Sequence, residues 1–278
     1  MHNSYPILDP HAPPSVPRNV CALAMMIKAP RAGQSKTRLV PPLTHAEAAA
    51  LSVCFLRDTT ENIAGVAVNR QAEGVAVYTP VGAEAAFANL LPAEFSLLAQ
   101  RGESFGERLF YAASDLLAIG YESLCLIDSD SPTLPPVLLA QAVAALAREG
   151  DRVVLGPSDD GGYYLIGIKR AHERLFADVE WSTAKVLGQT IERAGEINLE
   201  VELLPAWYDV DDAATLRVLC EELFSPRENN ASENDASENN RGGYPAPHTR
   251  RYLTQLLESE ERERIWPEAR QSAGATGR

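Results

Sequence analysis

Val20-Cys-Ala-Leu-Ala-Met-Met-Ile27, followed at once by Lys28-Ala-Pro-Arg-Ala-Gly33-Gln-Ser-Lys36-Thr-Arg38, is the stretch on which the fold turns. An unbroken apolar run without alternation suits a strand buried on both faces, as in a parallel sheet. The basic segment after it then falls at the strand's carboxyl end, where open α/β sheets bind their ligands. Working outward, the same unit recurs. Thr44 and Glu47 form a capping box that opens a helix with Leu51, Cys54 and Phe55 on one face, and Gly65 is expected to end it. Val75-Ala-Val-Tyr78 reads as a strand, and Ser104 with Glu107 caps a helix that Gly120 stops. Leu124-Cys-Leu-Ile127 is a further strand, and residues 136–148 form a helix closed by Gly150. Strands at 152–155 and 163–168, a helix capped by Ser182, an apolar segment at 199–204 and a last helix bearing Leu216, Leu219, Cys220, Leu223 and Phe224 complete the series. The alternation predicts an α/β fold, a mainly parallel sheet with helices on both faces, because parallel neighbours need crossover connections. One domain is expected over residues 19–225.

The chain has 278 residues, and 38 acidic against 25 basic side chains give a formal net charge of -13. Such a field repels nucleic acid and acidic lipid surfaces, so neither is an expected partner. An anionic small ligand requires local cations or a bound metal to reverse the field in a cleft. The 4 cysteines, Cys21, Cys54, Cys125 and Cys220, lie within apolar runs without C-x-x-C pairing, which predicts buried thiols in a cytoplasmic protein rather than a zinc site or disulfides. The run at 20–27 is too short to span a bilayer, so no membrane insertion is expected. Residues 1–18, with Pro6, Pro10, Pro13, Pro14 and Pro17, read as a disordered leader. Residues 226–278 read as a low-complexity linker, with the near-repeat Ala231-Ser-Glu-Asn and Ala236-Ser-Glu-Asn, and a charged tail whose stretch 250–265 has the thin apolar stripe of a short helix.

Polar clusters follow the strands. Gly33, Lys36 and Arg38 let the backbone approach a phosphate while two cations neutralise it; the alternative is a solvated basic turn. A Walker A loop is excluded, since Pro30 and Ser35 stand where that motif needs glycine. Asp128 and Asp130, one residue apart at a strand end, suit a hard cation such as Mg²⁺ or Mn²⁺ bridging diphosphate oxygens, or else a helix-capping turn. Asp159-Asp160-Gly161-Gly162 combines acids with backbone freedom, and fits both ligand contact and a hairpin turn. Asp209 and Asp211 can complete a metal shell or cap the final helix, a role better suited to Asp212. Trp181 is either a core aromatic or a wall against a ring-shaped ligand. None of His2, His11, His45, His172 and His248 falls in these clusters, and neither G-x-S-x-G nor G-x-G-x-x-G occurs, which argues against a histidine-based hydrolase and a dinucleotide-binding dehydrogenase.

The ordered set of motifs carries a resemblance. Lys28-Ala-Pro-x-x-Gly33-x-x-Lys36-Thr-Arg38-Leu39, Gly106-Glu107-Arg108, Asp128-Ser-Asp130-Ser-Pro-Thr-Leu134, Leu155-Gly-Pro-x-x-Asp160-Gly-Gly-Tyr-Tyr, Glu180-Trp181-Ser-Thr and Trp207-Tyr-Asp209-Val-Asp211 together resemble a CofC-like family of bacterial glycosyltransferases. That family is related to the 2-phospho-L-lactate guanylyltransferases, within the nucleotide-diphospho-sugar transferase (GT-A) superfamily. The resemblance spans residues 20–224 and neither tail. It implies a Rossmann-like domain that binds a nucleotide or nucleotide-sugar donor through Mg²⁺ or Mn²⁺, and a small-molecule acceptor beside it. Asp130 would be the main metal ligand and Asp211 the second. Asp128, where the family has a small residue, would be a third ligand or a brace behind them. Lys36 and Arg38 would meet the phosphates, with Lys36 also serving catalysis. Asp160, Gly161, Gly162 and Trp181 would shape the acceptor side, and Asp160 would be the general base. The expected reaction is metal-dependent glycosyl transfer. Its alternatives are nucleotidyl transfer from a triphosphate to a phosphorylated acceptor, and a non-catalytic nucleotide-binding module.

Overall fold

The computed structural model describes residues 5–14, 16–17, 19–67, 71–225, 242–258 and 262–266, so of the linker and tail expected over 226–278, residues 226–241, 259–261 and 267–278 lie outside the described residues. Strand β1 (Cys21–Lys28) is buried along almost its whole length and is flanked by two parallel neighbours, β2 (Ala72–Thr79) and β4 (Ser123–Ile127). Strand β3 (Ser96–Ala99) adds to β2 in parallel. Beyond β4 the hairpin of β5 (Arg152–Pro157) and β6 (Tyr163–Ile168) inserts β6 antiparallel, and β7 (Glu200–Leu203) closes the sheet parallel to β5. The order is β3-β2-β1-β4-β6-β5-β7.

Period-two alternation along β1 assigns each face its helices. Leu23, Met25 and Ile27 join Leu56 and Ile63 of α1 (His45–Ala67) and Leu138 and Ala142 of α3 (Pro136–Ala147). Ala22 and Ala24 face Leu109, Ala113 and Leu116 of α2 (Phe105–Ile119) and Ala194 of α4 (Val186–Glu196). Leu23 and Met25 are fully buried, which contributes about 2 kcal/mol each. A third cluster joins the outer side of α1 to α5 (Ala213–Phe224), α6 (Pro247–Glu258) and α7 (Arg262–Ile265). The buried Asp58 carboxylate on α1 accepts from His248 N at 3.0 Å and Thr249 N at 2.7 Å, so it caps α6.

Both capping boxes form: Ser104 Oγ accepts from Glu107 N at 3.2 Å, and Thr44 Oγ1 from Glu47 N at 3.2 Å. Gly120 ends α2 in the left-handed conformation. Three expectations fail. Helix α1 runs through Gly65 to Ala67, because Ile63, Ala64 and Val66 pack on the sheet and hold the glycine in the helical path. Ser182 does not cap α4, which starts at Val186; it sits at φ 62 in a turn before the helix. Residues 5–8 of the expected leader are ordered along β3, where Leu97 N donates to Pro6 O and Leu8 N to Leu97 O, each at 2.8 Å. The Tyr5 hydroxyl donates to Leu91 O at 2.7 Å, and this segment covers an otherwise open sheet edge. Among the described residues no helix is long and apolar enough to cross a membrane.

Candidate active site

Loops at the carboxyl ends of the strands meet around one ammonium group. After β1 the chain turns at Gly33 (φ 74) and reaches Lys36, itself left-handed at φ 50 and ψ 42, before the tight turn Thr37–Leu39. Leu39 is fully buried and anchors that turn. Lys36 Nζ lies 2.7 Å from Asp130 Oδ1 in the loop after β4 and 2.9 Å from Asp211 Oδ1 in the loop before α5. It also donates to Val210 O at 2.7 Å, and Val210 N donates to Asp130 O at 2.9 Å, tying the two acidic loops together. The Lys36 side chain is only 7% exposed, whereas that of Arg38, paired with the other Asp211 oxygen, is 73% exposed. Burial alone would push the Lys36 pKa down, but Asp130 and Asp211 outweigh it and hold it above the ordinary lysine range. The ammonium therefore stays charged.

Asp128 is turned inward. Its Oδ1 accepts from Asp130 N at 3.1 Å and its Oδ2 from Ser131 Oγ at 3.2 Å, so it shapes the loop that presents Asp130. Burial, then the neighbouring Asp130 charge, raises its pKa well above the usual carboxylate range. Asp209 accepts from Ser158 Oγ at 2.9 Å, and burial raises its pKa. Asp211 does not cap α5; that role belongs to Asp212, whose Oδ1 accepts from Ala214 N and Thr215 N at 2.9 Å.

The turn between β5 and β6 is both a hairpin and part of the site. Ser158 N donates to Gly162 O at 3.0 Å, and Asp160 Oδ1 accepts from Gly162 N at 2.8 Å. Gly161 stands at φ 89, where a Cβ would lie 2.4 Å from Ala184 O, and its carbonyl accepts from Leu187 N at 3.0 Å in the first turn of α4. Only glycine fits there. Trp181 meets the Phe105 ring edge-on, with centroids 5.2 Å apart. A Cβ on Gly106 would lie 2.6 Å from Phe176 O and 2.8 Å from Trp181 Nε1, so that glycine lets α2 approach the indole.

The Lys36 bridge divides two cavities. One, of about 170 Å³, is lined by Lys28, Gln34, Ser35, Lys36, Ser129 and Asp130 beside apolar groups. The other, of about 230 Å³, has Asp128, Asp160, Asp209 and Asp211 at its polar end, Arg38 as its cation, and Phe105, Trp181 and aliphatic side chains as walls. Lys36, Arg38, Asp128, Asp130, Asp160, Gly162, Trp181 and Asp211 thus border the two cavities or the bridge between them. Gly33 lines neither and serves its turn, while Gly161 acts through its backbone. Ser158, Phe105, Met26 and Tyr163 also line the larger cavity and were not singled out from the sequence. Ser158 was within reach of that reasoning, since it too follows an apolar strand.

Asp130 and Asp211 offer the kind of ligand atoms that a hard divalent cation takes. Both carboxylates converge on a single positive charge, the Lys36 ammonium, and the donors are all oxygen, as Mg²⁺ and Mn²⁺ prefer. Ligand atoms of Asp58, Glu61 and His248 also lie within 4.8 Å of one another. Both Asp58 oxygens are taken by the cap of α6, and His248 Nε2 pairs with Glu61 Oε1 at 2.8 Å, so that group is accounted for by helix docking.

The seven-stranded, mostly parallel sheet with its strand-end site is the Rossmann-like nucleotide-diphospho-sugar transferase fold. A family model described as "Uncharacterized protein conserved in bacteria (DUF2064)" matches residues 62–183. A crystal structure from Desulfovibrio desulfuricans G20, under the provisional name of nucleotide-diphospho-sugar transferase, is 30% identical; the match covers 86% of this chain and 95% of that one, with a TM-score of 0.68. The chain belongs to the family that this model and this relative represent. Rv0371c from Mycobacterium tuberculosis H37Rv is 16% identical over 73% of this chain and 97% of its own, with a TM-score of 0.43. Glucosyl-3-phosphoglycerate synthase from Mycobacterium tuberculosis, in complex with Mn²⁺, UDP and glucosyl-3-phosphoglycerate, is 12% identical over 74% and 79%, with a TM-score of 0.42. No curated protein matches the sequence.

Proposed function

We propose that the protein is a divalent-cation-dependent glycosyltransferase that moves a sugar from a nucleoside-diphosphate donor to a hydroxyl of a small acceptor. Its main support is the Lys36 ammonium, gripped by Asp130 and Asp211 at the border of a basic and an acidic cavity. The provisional name of the Desulfovibrio relative agrees with a sugar-nucleotide donor. Asp130 and Asp211 would hold Mg²⁺ or Mn²⁺, with Asp128 bracing Asp130; the cation would neutralise the diphosphate and stabilise it as a leaving group.

Lys36, from the basic side, and Arg38, from the rim of the larger cavity, meet phosphate oxygens, adding charge-assisted hydrogen bonds to the departing diphosphate. Asp160, at the mouth of the larger cavity, accepts the acceptor's hydroxyl proton. The acceptor oxygen forms its bond to the anomeric carbon as the bond from that carbon to the diphosphate oxygen breaks. The electron pair leaves with the diphosphate, and the products are a glycoside and a nucleoside diphosphate. Phe105 and Trp181 form an apolar wall beside the reacting end.

Incubation of the purified protein with Mn²⁺ and a panel of UDP-, GDP- and TDP-sugars tests the reading, with nucleoside diphosphate release as the expected product. Pyrophosphate release from a nucleoside triphosphate, with transfer of the nucleotide to a phosphorylated acceptor, would replace it with nucleotidyl transfer. Nucleotide binding without turnover of any donor would leave a binding module.

A further inference from the structure

The cavity on the Trp181 side has a chemistry that restricts its occupant. Its sheet wall is Met26, Leu126 and Ile166, its helical wall Leu109 and Val186, and the Phe105–Trp181 pair faces them. At about 230 Å³ it exceeds the roughly 150 Å³ that accommodates benzene, so it takes one flat ring with a short side arm.

Its charged groups are one-sided. Asp160 and Asp211 line it, with Asp128 and Asp209 beside them, whose burial favours the neutral acid, against Arg38 alone, and the Arg38 guanidinium is already paired with Asp211. Lys36 and Lys28 line the opposite cavity. Lys185, in the segment that leads into α4, is held by both Glu180 oxygens at 3.0 Å. A phosphate or carboxylate entering here would meet acceptor oxygens of its own sign without an uncommitted cation among the lining residues. A hydroxyl or an ammonium would find acceptors ready for its protons.

Resting on the glycosyl-transfer reading for its role as acceptor, we infer that this cavity takes an uncharged or cationic molecule with a flat apolar body and hydroxyl or amine donors at one end. Without a cation on Asp211, anionic molecules are disfavoured there. The basic cavity takes the phosphates and the acidic, aromatic cavity takes the group that receives the sugar.

Three probes that differ in charge on one ring and arm test this: tyramine, tyrosol and 4-hydroxyphenylacetate. Their binding to the full chain is measured by saturation-transfer NMR without nucleotide. Tyramine and tyrosol are expected to bind at least about tenfold more tightly than 4-hydroxyphenylacetate. Trp181→Ala should weaken tyramine and tyrosol alike, and Asp160→Asn, at an exposed position, should narrow the gap between cation and anion. Equal or tighter binding of 4-hydroxyphenylacetate, or binding of none of the three, overturns the inference. A parallel titration with UDP and Mn²⁺ separates the two claims: UDP binding beside a failed charge series sinks the cavity inference alone, whereas an upheld series without UDP binding sinks the donor reading alone.

Discussion

The two cavities share the Lys36–Asp130–Asp211 bridge as a boundary and are built in opposite ways. The basic one comes largely from a single stretch, Ile27 to Lys36, laid against Ser52 and Leu56 of α1 and closed by Ser129 and Asp130. The acidic one needs the sheet, the β5–β6 turn, the start of α2, the residues around Trp181 and the loop before α5. A phosphate grip can be local, because backbone turns and two cations suffice. A cavity that sorted acceptors by shape and charge, as proposed, would need walls from several directions. Lys36 belongs to the first region by sequence and is fixed to the second by its ion pairs.

Removing that shared element has the largest expected effect. Lys36→Met should lower the affinity for a nucleoside diphosphate by roughly 10- to 100-fold, the loss of about 1.5–3 kcal/mol for a charged hydrogen-bonding partner. Folding stability should fall by only about 1–2 kcal/mol, since Asp130 and Asp211 both reach water and can be rehydrated. Calorimetric titration with UDP and a thermal melt read the two effects. An unchanged affinity would detach the basic cavity from the bridge.

Gly161→Ala sharpens the comparison from the other side. The new Cβ meets backbone at Ala184 while the residue is forced to φ 89, at a cost of about 1–3 kcal/mol. The melting temperature should drop, and binding of tyrosol should weaken, while UDP affinity stays within about twofold. Equal damage to both ligands would mean that the cavities are one unit.

Glu47→Gln touches neither cavity and has the smallest expected effect. Glu47 closes the cap of α1 and pairs with Arg264 of α7 at 3.0 Å. Burial would raise its pKa, but the bonds from Arg264 and Thr44 prevail and lower it below the usual 4.5. Its contribution is therefore present above that value and lost as pH falls through the depressed one. The variant should lose about 1 kcal/mol at neutral pH. In melts from pH 7 to 3, the gap to the wild-type protein should close below about pH 4.5, with ligand binding at neutral pH unchanged.

Much of this was legible in the sequence because it is local. Lys36, Asp130 and Asp211 each follow an apolar segment, and the topology of parallel sheets places such positions on one rim. Capping boxes at Thr44 and Ser104 depend on a three-residue spacing alone. Strand β3 was missed because Ser96–Ala99 is too short to establish a period. The order at residues 5–8 comes from pairing with Leu97, which the local Pro-rich composition conceals. Gly65 illustrates the converse: a helix stop requires a left-handed residue, and packing of its neighbours on the sheet prevails. Phe105 and Met26 carried no local mark, since only the packing of α2 and β1 turns an apolar side chain into a cavity wall.

Calorimetric titration of UDP into the full chain, with Mn²⁺, with EDTA, and with Asp130→Asn in Mn²⁺, tests the cation-held diphosphate most directly. Binding in Mn²⁺ should weaken on the order of 100-fold in EDTA and again in Asp130→Asn, while the variant's melting temperature stays close to that of the wild-type protein. Equal UDP affinity with and without Mn²⁺, undisturbed by Asp130→Asn, would contradict it.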